Sequence, residues 1–143
     1  MTDTEFIRAL ETCALPETAF GHAAHVRAAY LCLRGSDFPS ALQRISSTLH
    51  AYTASLGKPG RYHETKTVAY MALIGREMLE RGDGGDWPGF AQQNPGLLDP
   101  RLLLRFYTSA ELDAPLARRI FLLPTSSAGE RAQHSAATLT RGG

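Results

Sequence analysis

Three of the five histidines in this chain stand where a helix would turn them toward the protein interior. His22 and His25 are three residues apart, a spacing that puts two side chains on one face of a helix. His63 begins a second stripe of the same kind, which continues through Thr67 and Tyr70. Neutral imidazole is the form of histidine that binds metal ions. The spacing therefore predicts that His22, His25 and His63 are metal ligands in one internal site.

Two or three imidazoles with a carboxylate suit a divalent transition metal, which here means iron, copper, zinc, manganese or nickel. Glu64 is the candidate carboxylate, as a fourth ligand, as a general base, or only as an acidic residue that meets the helix dipole. Tyr62 is a further candidate catalytic residue, with a core aromatic role as its alternative. One of Arg118 and Arg119 is expected to reach into the pocket and hold a carboxylate or phosphate, with Arg118 as the candidate catalytic residue; a salt bridge to Glu64, Glu77 or Glu111 is the alternative.

The segments that must position these residues read as helices almost throughout, because apolar residues recur at intervals of three and four. We predict four longer helices, the first from about residue 3 and ended by Pro16, the others over 21–33, 39–56 and 62–81, then shorter ones near Phe90, over 101–107 and over 110–121. No alternation typical of strands is present in the sequence. The fold class is all-α, a single-domain irregular bundle of about five to seven helices over residues 1–124. Residues 125–143 are poor in large apolar groups, and we expect a disordered tail there.

Composition limits the classes of function. The chain has 143 residues, 43% of them hydrophobic, and a formal net charge of +1, with no basic stripe to bind a phosphate backbone. Nucleic acid is therefore not an expected partner. No stretch has the length and apolar character of a membrane span or a secretion signal, so a cytoplasmic protein without membrane contact is expected. Cys13 and Cys32 lack the spacing of a disulfide framework or a cysteine zinc site.

Three segments of the chain, FGHAAHVRAAYLCL, GKPGRYHETKTVAYMALI and RFYTSAELDAPLARRIFLLP, resemble three blocks of a small bacterial family of uncharacterised all-helical proteins. That family shows Phe-x-His-x-x-His, then Tyr-His-Glu-Thr-x-Thr, then Tyr-Ser-x-x-x-Leu followed by Ala-Arg and a proline. The resemblance spans residues 20–124, and this chain departs from the pattern at Val26, Arg61 and Thr108 and, directly after Pro124, at Thr125. It implies a shared site built from Phe20, His22, His25, Tyr62, His63, Glu64, Thr65, Thr67, Tyr107, Leu112, Ala117, Arg118 and Pro124. The resemblance implies no particular reaction.

Three hypotheses of function follow from these residues. The first is a metal-dependent enzyme, an oxidoreductase or a hydrolase, that acts on a small molecule in a histidine-rich pocket inside the bundle. The second is a metal-free binding protein or acid–base enzyme that uses the same histidines on a small-molecule ligand. The third is a helical interaction module with structural histidines, which would form a homodimer through its first or its terminal helices.

Overall fold

The computed structural model of the protein describes residues 1–124, which form seven α-helices and contain no β-strand. The helices are α1 (Asp3–Glu11), α2 (His22–Gly35), α3 (Phe38–Ser55), α4 (Glu64–Arg81), α5 (Trp87–Gln93), α6 (Ser109–Asp113) and α7 (Pro115–Arg119). Short 3-10 segments at Glu17–Ala19, Pro59–Arg61, Pro95–Leu98 and Leu102–Arg105 join them. The all-α prediction is confirmed. The predicted disordered tail, residues 125–143, lies outside the described part of the chain.

Side chains just ahead of the helices fix where several of them begin. The Thr2 hydroxyl accepts a hydrogen bond from the backbone N–H of Glu5 at 3.1 Å and starts α1. The Asp37 carboxylate accepts from the N–H of Ser40 at 2.9 Å and starts α3 at Phe38, slightly earlier than predicted. Such caps satisfy N–H groups that have no partner within the helix.

The core lies where α2, α3 and α4 pack against one another, and α1 contacts α2 and α3. Its buried residues recur mainly at intervals of three and four along these helices: Phe6, Leu10, Leu15, Val26, Ala28, Ala29, Tyr30, Cys32, Ala41, Ile45, Leu49, Tyr52, Tyr62, Met71, Ile74 and Phe90. A smaller cluster of Leu103, Tyr107 and Leu112 packs beside α4 residues. Helices α2 and α4, which position the three candidate histidines, are therefore neighbours. None of the helices described in residues 1–124 has the length and apolar character needed to cross a membrane.

The helix predicted over residues 110–121 is instead two short helices, α6 and α7, separated at Ala114. Pro115 has no N–H to donate to an earlier carbonyl, and its ring disfavours helical geometry in the residue before it. Ala114 accordingly adopts an extended conformation, with φ −63° and ψ 138°. The break turns α7 so that it packs along α4, which brings Arg118 to the region of the predicted site.

Candidate functional site

A cavity of about 440 Å³ lies between α2, α3 and α4, with α7 beside it. Its apolar lining comes mainly from the core stripes and includes Val26, Ala29, Ile45, Leu49, Tyr52, Leu56, Met71 and Ile74. Its polar lining includes His22, His25, Tyr62, His63, Lys66, Thr67, Tyr70, Arg61, Glu17 and Arg118. The three predicted histidines thus border one space. Apolar walls with a few polar groups are typical of small-molecule sites.

His22 stands at the start of α2, and one of its ring nitrogens is already engaged. Its Nε2 atom lies 3.1 Å from the carbonyl oxygen of Leu97, so this nitrogen carries the proton and donates it. The ring also packs against Tyr70 with 5.0 Å between centroids. These contacts leave Nδ1 as the nitrogen of His22 that is available to a ligand.

His25 stands one helical turn further along α2 and stacks on Phe20, with ring centroids 3.9 Å apart and an angle of 25° between the planes. His25 also belongs to the lining of the cavity. Within residues 1–124 neither ring nitrogen has a hydrogen-bond partner. His25 is exposed as a whole residue, but the protein atoms packed around its ring, with a smaller contribution from His22, lower its pKa to about 4. The imidazole is therefore neutral at pH 7 and offers one donor and one acceptor.

His63 is the most buried of the three, with 7% of its surface exposed, and both of its ring nitrogens are used. Nδ1 accepts a hydrogen bond at 3.1 Å from the N–H of Lys66 and so caps α4. Nε2 donates to the carbonyl oxygen of Leu112 at 2.8 Å. Burial is the first cause of a lowered pKa for His63. A neutral imidazole protonated on Nε2 satisfies both bonds, so His63 joins α4 to α6.

The hydrogen bonds of the three histidines limit their ability to share a metal ion. Within the described residues no group of three histidine, cysteine, aspartate or glutamate side chains is arranged to hold a metal ion. His63 would have to break a bond at α4 or at Leu112 before either nitrogen could become a ligand. As arranged here, the described residues therefore give the predicted three-histidine metal site no support, and the divalent metal stays a prediction.

Tyr62 and Glu64, two of the candidate catalytic residues, bond to each other. The Tyr62 hydroxyl donates to Glu64 Oε1 at 2.8 Å and lies 3.0 Å from Ser46 Oγ. The Tyr62 ring stacks on His50 with centroids 3.7 Å apart, and burial raises the pKa of Tyr62. Tyr62 borders the cavity, whereas Glu64 is not part of its lining. Glu64 thus orients the Tyr62 hydroxyl and lies outside the space where a ligand would bind.

Thr65 lies in the same segment and has a structural role. It is 0% exposed, its hydroxyl donates to the carbonyl oxygen of Ile120 at 2.8 Å, and the same oxygen accepts from the N–H of Leu122 at 3.1 Å. Thr67 donates to the carbonyl oxygen of His63 at 2.8 Å. Residues 62–67 therefore hold the chain after α7 against the beginning of α4. The resemblance also points to these positions. In the structure, Thr65 bonds to the backbone of residues that follow α7, and Thr67 bonds to the backbone of His63.

Arg118, the third candidate catalytic residue, lies at the opening of the cavity. Its Nη1 donates to the carbonyl oxygens of Gly60 at 3.0 Å and Arg61 at 3.4 Å. Among residues 1–124 it forms no ion pair, so the alternative of a salt bridge to Glu64, Glu77 or Glu111 is not what the structure shows.

Lys66 and Tyr70 are lining residues that the sequence reasoning did not assign to the site. Lys66 is three residues after His63 and four before Tyr70, so helical spacing alone places all three on adjoining lines of α4. The Tyr70 hydroxyl donates to the carbonyl oxygen of Asp99 at 3.3 Å, and burial raises the pKa of Tyr70 to about 12. Tyr70 is therefore a neutral wall residue.

Comparison with known proteins adds no assignment: no family model, curated protein or solved structure matches this chain. The resemblance to the small helical family remains a prediction from the three sequence segments.

Proposed function

We propose that the protein binds a small organic molecule in the cavity between α2, α3 and α4, with His22 and His25 as its polar contacts. The observation that carries this proposal is the cavity itself, about 440 Å³ with apolar walls and two imidazoles that keep free nitrogens. Cavities of roughly 300–1,000 Å³ with a few convergent polar groups are the usual form of small-molecule sites. The ligand would hydrogen-bond to Nδ1 of His22 and to the ring of His25.

The proposal favours binding over acid–base catalysis at His25. A general base works best when its pKa lies near the working pH, because it must be both unprotonated and strongly basic. The pKa of His25 is lowered to about 4, so the ring is a weak base at neutral pH. It serves better as a fixed hydrogen-bond partner. His63 has both nitrogens committed and is a positioning residue at the cavity wall.

A metal-dependent enzyme, the first hypothesis from the sequence, would have to use His22 and His25 without His63. Metal analysis of the purified protein tests it directly. Stoichiometric metal that is lost in both His22→Ala and His25→Ala would overturn the metal-free proposal. Metal content at background level after reconstitution with zinc, iron, copper, manganese and nickel salts supports it.

The binding site itself is tested by filling the cavity. Ala29 lines the cavity and is 4% exposed, whereas Ala23 lies on the exposed side of the same helix. A library of small organic compounds is screened by ligand-observed NMR against the wild type, Ala29→Leu and Ala23→Leu, with folding checked by circular dichroism. We expect ligands of the wild type to lose binding to Ala29→Leu and keep binding to Ala23→Leu. Equal binding to all three chains, or no ligand for the wild type, would count against the proposal.

A further inference from the structure

Two cationic side chains, Lys66 and Arg118, belong to the lining of the cavity. Lys66 and Arg118 line the cavity and are exposed, which places them at its mouth, whereas the apolar walls are formed by buried residues. Within residues 1–124 neither side chain forms an ion pair. The acidic residue of the lining is Glu17, and its carboxylate is already paired with Lys58 at 2.9 Å and with Arg61.

The two cations act on the same part of the wall. After burial and the bond to Leu112, the charges of Lys66 and Arg118 are the next influences on the pKa of His63, and both lower it. Arg118 lies on α7, which packs against α4, the helix that carries Lys66. The backbone bonds of Arg118 to Gly60 and Arg61 use Nη1 and hold the guanidinium in place. Its Nε and Nη2 donors have no bond among the described residues.

We infer that the occupant of the cavity is an amphipathic organic anion, whose apolar body lies between α2, α3 and α4 and whose carboxylate or phosphate group binds Lys66 and Arg118. This inference rests on the proposed function. Ammonium and guanidinium groups are the usual protein partners of both anions. A neutral ligand would gain nothing from the two charges, and a cationic ligand would meet repulsion at the mouth.

The apolar residues that line the cavity indicate that the ligand has an apolar part. Val26, Ile45, Met71 and Ile74 are buried core residues whose side chains also border the cavity. Aliphatic or aromatic groups placed against them leave water, which contributes roughly 25 cal/mol per Å² of apolar surface. Ligands with a chain or ring system behind the anionic group are therefore favoured over small inorganic anions.

Three probes with the same apolar chain separate the two parts of this inference: octanoate, octyl phosphate and octanol. Their binding to the full chain is measured by isothermal titration calorimetry in the wild type and in Lys66→Met/Arg118→Met. Arg119→Met/Arg105→Met is the matched control, since neither arginine lines the cavity. Charge-assisted hydrogen bonds contribute enough for at least about a tenfold gain in affinity for an anion over octanol. The Lys66 and Arg118 double variant should lose this gain and keep its affinity for octanol, while the control should match the wild type.

The outcomes distinguish this inference from the function on which it rests. Tighter binding of octanoate than of octanol identifies a carboxylate ligand. Still tighter binding of octyl phosphate identifies a phosphate ester, and both results support the inference. Octanol binding that is weakened by Ala29→Leu, with no preference for either anion, would overturn the inference and leave the binding proposal standing. An anion preference that survives in Lys66→Met/Arg118→Met would also overturn it. If none of the three probes binds in the cavity, this inference fails, and the compound screen with Ala29→Leu decides the binding proposal.

Discussion

The Nε2 atom of His63 lies 2.8 Å from the carbonyl oxygen of Leu112, a residue 49 positions later in the chain. The opposite nitrogen of the same ring accepts the N–H of Lys66. One buried imidazole therefore both starts α4 and attaches α6 to it. This arrangement explains why a histidine precedes a glutamate at this helix start: the ring reaches a backbone oxygen that a shorter capping side chain cannot reach.

The His63 bonds predict a loss of stability when the ring is removed. His63→Ala deletes a helix cap and leaves the Leu112 oxygen without its donor, which together should lower the free energy of unfolding by about 2–4 kcal/mol. His63→Asn keeps a capping oxygen and should lose about half as much. Urea denaturation of the three chains measures this. A His63→Ala protein as stable as the wild type that has lost ligand binding would instead make His63 a ligand-binding residue.

Thr65→Val tests the attachment of the chain after α7. Valine has nearly the shape of threonine but can neither donate to Ile120 nor accept from Leu122, so we expect a loss of about 1–3 kcal/mol in the free energy of unfolding. Thr12→Val is the control, because the Thr12 hydroxyl also donates to a backbone carbonyl but lies on the surface. Chemical denaturation and limited proteolysis of the native proteins should show a larger effect for Thr65→Val. Equal effects would mean that the buried bonds add nothing beyond an ordinary surface hydroxyl.

The lowered pKa of His25 predicts a dependence of stability on pH. The unfolded chain protonates this ring near its ordinary value of about 6.5. The folded chain resists protonation until about pH 4. The unfolded state therefore binds more protons between these values, and folding stability should fall as the pH drops from about 6.5 to about 4. His25→Gln should lose less stability than the wild type over this range.

The measurement is urea unfolding of both chains at pH 7 and pH 5. His63 also has a lowered pKa and contributes to the upper part of the same range in both proteins, so the difference between the chains isolates His25. Identical pH dependence in the wild type and His25→Gln would show that His25 titrates normally in the folded state.

From their positions, we expect substitution of His25 to weaken ligand binding and substitution of Glu64 to leave it unchanged. Glu64 bonds to Tyr62 and lies outside the cavity lining, so Glu64→Gln should bind any cavity ligand with wild-type affinity. His25→Ala removes a neutral hydrogen-bond partner from the cavity and should weaken binding of a polar ligand by roughly fivefold to tenfold. Calorimetric titration of both variants gives the comparison. Weaker binding in Glu64→Gln would show that the Glu64 carboxylate contributes to ligand binding.

Much of the fold can be predicted from the sequence, because helical stripes are a local property. The inward positions of Val26, Ile45, Met71 and Ile74 follow from their spacing, and the structure buries all four. The break at Pro115 also has a local signal, although the sequence reasoning ran one helix across it. The spacing of apolar residues does not predict which group each polar side chain hydrogen-bonds to.

His63 shows that limit most clearly. Its stripe predicts burial, and the ring is buried. A buried imidazole needs partners, and three inward histidines suggested that a metal would supply them. The actual acceptor is a carbonyl oxygen of α6, which no side-chain pattern can reveal because every residue has one. Lys66 was missed for a related reason: an exposed lysine on a helix looks the same whether it faces bulk water or the mouth of a cavity.

The cavity is walled by α2, α3, α4 and part of α7, which lie far apart in the sequence. An occupant would therefore touch four helices at once and would have no site in the unfolded chain. By mass action, a ligand at a hundred times its dissociation constant raises the free energy of unfolding by about 2.7 kcal/mol. The melting temperature should then differ between protein heated in a cell lysate that contains the ligand and protein purified away from it. Thermal unfolding becomes a gauge of occupancy, and it can guide the isolation of the natural ligand from cell extracts.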